Sequence, residues 1–276
     1  MLLATVLALS SAGLHAGWNL LVKTSDDRDL AAWGQFLAGG LLVLPVLLVI
    51  GPPAASAWPY LAASALVHVV YVTALARAYT HGDFSMAYPL ARGGGAFVAA
   101  LGGVALLGDA LTPLAWVAIV VIGTSLVTLT GRGAAAVSIR WALVTAAAIG
   151  AYTLIDAAGV RASGDGVRYG LALMPVAAVT ISVGALVRGR GPALLASLPS
   201  SWRRFAVAGV LVTVAYTLVL VAVQLAPVGY VAMLRESSVV LGALAGWLLL
   251  QERLGRHRLA SSLGVAGGMA LLILAR

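Results

Sequence analysis

Long apolar runs separated by short polar punctuation organise the chain. Ten stretches are continuously hydrophobic: 2–22, 30–50, 58–78, 84–107, 111–130, 139–159, 168–187, 204–224, 229–250 and 259–275. A helix crosses a bilayer with about 20 mostly apolar residues, so each run is long enough or nearly so. Strands of a membrane barrel alternate apolar and polar residues with a period of two. These runs do not alternate, and in lipid only helices and closed barrels satisfy their backbone. The pattern predicts an all-α integral membrane protein with ten transmembrane helices. Pro, Gly and charged residues mark the connections: Thr24 to Asp29, Gly51-Pro52-Pro53, Thr80 to Asp83, Gly131 to Gly133, and Arg188 to Arg204. The last is the longest and is the natural place for a helix lying along the membrane surface.

Composition agrees with the pattern. Of 276 residues, 62% are hydrophobic and 9% charged, with a mean hydropathy of +1.03. Soluble domains carry about 25% charged residues. The net charge of +8 does not point to nucleic acid, because the arginines stand singly or in pairs in short loops and form no basic face. Surplus Lys and Arg in such a protein set its orientation. With the N-terminus outside, twelve fall in inner loops and three in outer ones, which favours both termini outside. The first run lacks a basic leader, so it reads as a span of a multi-pass cytoplasmic-membrane protein and not as a signal peptide. There are no cysteines, and the four histidines lack paired spacing. Neither a metal site nor a cofactor is expected, and no Walker A motif is present.

The chain echoes itself. A shift of 143 lays Tyr88-Pro89-Leu90-Ala91-Arg92 over Val231-Ala232-Met233-Leu234-Arg235, and Leu107-Gly108-Asp109-Ala110-Leu111 over Leu250-Gln251-Glu252-Arg253-Leu254. A shift of 145 lays Tyr71 over Tyr216, and one of 137 lays His15 over Tyr152 and Asn19 over Asp156. Residues 1–134 and 135–276 therefore read as two five-helix repeats. Five is odd, so the two copies insert in opposite directions, an architecture of secondary transporters.

With its two five-helix halves and its acidic turns Gly108-Asp109-Ala110-Leu111 and Gln251-Glu252-Arg253-Leu254, each followed by a Gly-bearing helix around Gly123 and Gly264 to Gly268, the chain resembles the EamA-like ten-helix family of the drug/metabolite transporter superfamily. His15-Ala16-Gly17-Trp18-Asn19 with Lys23 resembles a phosphonate-associated subgroup. The resemblance implies a carrier for small metabolites, often an exporter, with a cavity lined by the first, third and fourth helices of each half. Several relatives have both termini cytosolic, the reverse of the charge count.

Arg92 and Arg235 are the leading candidates for substrate contact. An arginine at a helix centre costs about 2.5–3.5 kcal/mol to insert and normally faces the bundle interior. Its guanidinium suits carboxylate, phosphate or phosphonate. The alternative is that each arginine only pairs with an acid. Asp156 and Glu236 balance the two cations and are candidates for ion pairing or proton coupling; Asp156 alternatively lies at the interface, near the end of its span. His15, Trp18 and Asn19 share a helical face and suggest a cavity wall, continued by Tyr152. Tyr71 beside His68, Tyr216 and Tyr88 add aromatic surface, either for substrate or for packing. Pro89 and Gly93-Gly94-Gly95 either loosen the fourth helix or pack closely, and Gly264 and Gly268 pack internally or at a homodimer seam.

The expected function is alternating-access transport of a small polar, anionic metabolite, as an exporter, proton-coupled or exchanging. Export of cationic drugs or amino acids and flipping of lipid phosphates are alternatives. An intramembrane enzyme is not favoured, since no HExxH, paired aspartates or Ser–His arrangement stands out, and a scaffold would not need mirrored polar residues.

Overall fold

The computed structural model describes residues 1–25, 27–80, 84–128, 136–241, 244 and 256–275, without the side chains at 23, 28, 29, 76, 79, 80, 84–86, 88, 89 and 256–259. The turn Gln251 to Leu254 and the side chains of Lys23 and Tyr88 therefore lie outside the described residues.

Among the described residues all regular structure is helical: α1 (Leu2–Lys23), α2 (Arg28–Ile50), a 3-10 turn (Ala55–Ala57), α3 (Trp58–Thr80), α4 (Phe84–Leu107), α5 (Pro113–Thr128), α6 (Ala136–Ser163), α7 (Gly166–Val187), α8 (Gly191–Leu225), α9 (Val228–Arg235), α10 (237–241) and α11 (Arg256–Leu274). Seven of the described helices are long and apolar enough to cross a membrane, while α5 and the apolar part of α11 are shorter. Leu48, Val49, Leu106 and Val187 are each at least 74% exposed. Side chains so apolar are stable in that position against lipid.

Two elements depart from the predicted spans. The run 188–203 is helical from Gly191 and continuous with the eighth span, so α8 has 35 residues and, if straight, extends about 52 Å. That exceeds the roughly 30 Å hydrocarbon core. Pro199 stands inside it; Leu194 and Phe205 from either side of this proline share one apolar cluster with Trp33 and Ile181. The predicted run 229–250 is interrupted. Glu236 ends α9, its N–H donating to Met233 O at 3.1 Å and its carbonyl accepting from Val239 N at 3.0 Å. This single tight turn separates α9 from α10.

Small residues set the helix seams. A Cβ on Gly209 of α8 would meet Gly39 N of α2 at 2.6 Å, so the two backbones touch. Gly264 and Gly268 of α11 lie against Ser125 and Ile122 of α5, which places that face inside the bundle. Around Arg92, α4 remains helical throughout. Gly94 and Gly95 let α6 approach, with Ala146 and Ile149 where a Cβ would sit. The close-packing reading of this glycine run is the one observed.

The main packing pairs are related by exchange. α1 packs on α8 and α9, as α6 packs on α3 and α4; α2 packs on α8, as α7 packs on α3. The pairs α2–α7, α4–α9 and α5–α11 map onto themselves. The exchange is incomplete, because α7 also packs along α8 with Gly170 against Thr217, and the described residues show no matching α2–α3 seam of that size. Both acids and both arginines of the sequence analysis converge where α4, α6, α8 and α9 meet.

Candidate functional site

Each helix delivers its polar group to the same interior. Arg92 and Arg235 are each 6% exposed, Glu236 2% and Asp156 0%. The tight turn at Glu236 places the last residue of α9 and the first beyond it side by side at the bundle centre.

The four charges are not equivalent. Arg92 Nη2 donates to Glu236 Oε1 at 2.8 Å, a buried ion pair between α4 and the end of α9. Asp156 has no arginine partner among the described residues; it is held by two phenols. Tyr169 OH donates to Oδ1 at 2.9 Å and Tyr216 OH to Oδ2 at 2.5 Å. Arg235 is left over. Among the described residues its guanidinium makes neither ion pair nor hydrogen bond, and its Nε is buried without a partner. Its centre stands 5.8 Å from the Tyr216 ring, a cation–π contact. The pairing alternative is thus the observed state of Arg92 and not of Arg235. Glu236 Oε2 and Ser238 Oγ, beside the same turn, are also buried without partners.

Aromatic rings form one wall. His68 stacks on Tyr152 with centroids 4.2 Å apart and 27° between planes. Tyr71 meets Tyr152 edge-on at 5.6 Å, and Tyr216 meets His68 at 6.5 Å. His68 Nδ1 lies 2.8 Å from Ser64 O one turn below, which fixes the ring's rotation. Tyr152 is within electrostatic reach of Arg92, Arg235, Asp156 and Glu236, and His15 of both arginines. His15 packs edge-on against Trp18 at 4.7 Å. Asn19 Nδ2 donates to His15 O at 2.8 Å within α1, so that amide is spent on its own helix.

The structure therefore gathers His15, Trp18, Arg92, Tyr152, Asp156, Tyr216, Arg235 and Glu236, with Tyr71, around one centre. Asp156 is fully buried in the bundle, and α6 continues seven residues beyond it to Ser163, about 10 Å. Tyr169 and Ser64 were not anticipated. Tyr169 stands in the first turn of α7, where a tyrosine reads as an interface anchor, and only the fold reveals that it points at Asp156. A separate cleft of about 260 Å³ lies between α3 and α7, lined by residues including Val72, Thr73, Ile181 and Arg188. It holds none of the clustered charges.

The sequence pattern of the EamA-like transporter family matches residues 137–274, half of the chain. The chain belongs to the EamA-like transporter family. It is a multi-pass membrane transporter of the drug/metabolite type. Among solved structures, one titled only "Crystal structure of protein" aligns with 99% of this EamA-like chain and 97% of its own, at a TM-score of 0.79 and 16% identity. At that identity the likeness concerns the fold. No curated protein matches the chain. The phosphonate-associated subgroup finds no support in these comparisons.

Proposed function

We propose that this EamA-like transporter is a secondary carrier that exports a small anionic metabolite across the cytoplasmic membrane by alternating access. The observation that carries the reading is Arg235, a guanidinium buried in the bundle with no acid and no hydrogen bond from the described residues. A charge in that position is costly, and an anion arriving beside it offsets the desolvation with paired hydrogen bonds. Arg92, already paired with Glu236, positions the site and leaves Arg235 to meet the cargo. Tyr71, Tyr152 and Tyr216 with His68 form the aromatic wall beside these charges. His15, with Trp18 packed on it, stands beside this centre on α1.

Two units, 1–134 and 135–276, rock against each other in this scheme. The exchange of packing partners between α1–α4 and α6–α9 supports it. Asp156 is the coupling group: a carboxylate held by phenols, with no ion-pair partner among the described residues, is able to take up and release a proton as the site changes its exposure.

A second reading is favoured by one observation. Glu236 Oε2 is buried and unpartnered, beside aromatic rings, a combination that also suits a cationic cargo. Thermal stabilisation of the purified protein separates the two. A ligand at 100 times its Kd adds roughly 2.7 kcal/mol to the native state. Anionic metabolites raise the melting temperature, and Arg235→Ala removes the rise. Stabilisation by cations alone, lost in Glu236→Gln, replaces the anion reading with the cationic one.

A further inference from the structure

The acidic turn after α4 is absorbed by neither the central site nor the packing core. Gly108, with φ of 70°, turns the chain so that Asp109 points inward, its side chain 7% exposed. Asp109 Oδ1 accepts from Arg161 Nη2 at 2.7 Å, and Oδ2 accepts from the backbone N–H of Val228 at 2.6 Å. Arg161, near the end of α6, also donates to Leu107 O at 3.3 Å and Val223 O at 3.4 Å. One carboxylate and one guanidinium thereby join the ends of α4, α6, α8 and α9 on the bundle face that carries Met1. Close by, Thr5 Oγ1 and Tyr230 OH lie 2.7 Å apart and tie α1 to α9.

Val228 is the first residue of α9, and its N–H has no intrahelical acceptor. A carboxylate there is favoured by the helix dipole. All eight residues of α9 are buried, and Arg235 is its last. Asp109 therefore grips one end of the rod whose other end presents Arg235, about 10 Å away. Below the grip, α9 meets α4 through Gly229 on Ala100, a smooth contact of small residues, and the Arg92–Glu236 pair joins the two helices only at the far end of α9. Arg161 is 30% exposed, so water can compete for its bonds. A breakable polar clasp over a smooth seam is the construction of a gate.

We propose that Asp109 and Arg161 form the lock of the gate on the Met1 face, closing access to Arg235 from that side and seating α9. The inference rests on the carrier reading for the purpose of the gate, though its test needs no cargo. The chain has no cysteine, so Ala96→Cys introduces a lone thiol. Ala96 is 3% exposed and one helical turn from Arg92 along α4, toward the Met1 face, on the side where Ala100 meets Gly229 of α9. Labelling by a membrane-impermeant maleimide is timed from each face of sealed proteoliposomes. With the lock intact the thiol reacts slowly from the Met1 face. In Asp109→Asn and Arg161→Ala the rate from that face rises about tenfold or more, as expected when a hydrogen bond to a charged group is lost from the closed state. Arg161→Lys falls between. An unchanged rate in a variant that still elutes as a folded protein overturns the proposal, as does an equal rise from both faces. If Asp109→Asn does not fold, Arg161→Ala decides alone. Anion binding is measured separately, so a failed carrier reading and a failed gate leave different results.

Discussion

Removing either partner of the buried Arg92–Glu236 pair is the perturbation whose size follows most directly from the structure. The ion pair is 2.8 Å long, and its side chains are 7% and 3% exposed. Glu236→Gln removes the carboxylate 2.8 Å from Arg92 while the second buried cation, Arg235, stays within electrostatic reach. Breaking a buried pair by removing one partner costs about 3–5 kcal/mol. Arg92→Met costs a similar amount by stranding Glu236. Removing both together eliminates the stranded charge, so the double variant Arg92→Met/Glu236→Gln returns to within about 1–2 kcal/mol of the parent. Arg235→Met is the contrasting case. It deletes a desolvated cation that has no acid partner, so it leaves stability unchanged or raises it by up to about 2.5–3.5 kcal/mol. Denaturant unfolding in detergent micelles, followed by the fluorescence of the seven tryptophans, measures all four. Single-variant losses below about 1 kcal/mol, or a double variant as unstable as the sum of the singles, would refute the assignment of the pair. A loss of several kcal/mol in Arg235→Met would show that Arg235 is the structural cation instead.

Other parts of the account are testable with single substitutions. Tyr216→Phe and Tyr169→Phe each remove a hydrogen bond to the Asp156 carboxylate, and each lowers the unfolding free energy by about 1.5–3 kcal/mol; thermal melts of the two variants measure this. Asp156→Asn keeps one phenol donating to its amide oxygen and turns the other to accept from its NH2 group, but cannot take up a proton, so uptake into proteoliposomes no longer responds to an imposed pH gradient while exchange without a gradient persists. Gly209→Leu forces the α2–α8 backbones apart at Gly39 and destabilises by about 1–3 kcal/mol or more, read from the melting temperature. Gly123→Leu on α5, with open space around its Cβ position, leaves the melting temperature close to the parent's.

The helices were legible because an apolar run of span length has few other outcomes in a chain with so little charge. The interior position of Arg92 and Arg235 was legible for the same reason, since a cation deep in such a run must find the bundle interior. Which arginine would be paired was not. Hydropathy gives the depth of a residue along its helix, and the partner of Arg92 lies 144 positions away on another helix. The sequence register makes the two arginines equivalent, and only the packing makes them different. A helix was expected between Arg188 and Arg204, but its continuity with the eighth span was hidden by Pro199 and the polar residues around it. The turn at Glu236 carries neither Gly nor Pro, the residues by which such breaks are usually recognised. Asp109 was visible as part of an acidic turn, but its grip on Val228 required the end of α4 and the start of α9 to be brought together.

Transport by the purified protein tests the central claim most directly. Proteoliposomes loaded with a small anionic metabolite that stabilises the protein are diluted into medium containing a trace of the same labelled compound, and counterflow is followed with the parent chain and with Arg235→Ala. The account predicts transient accumulation of label by the parent and none by the variant, although the variant remains folded. Equal counterflow by both proteins would contradict the assignment of Arg235 as the residue that receives the anion.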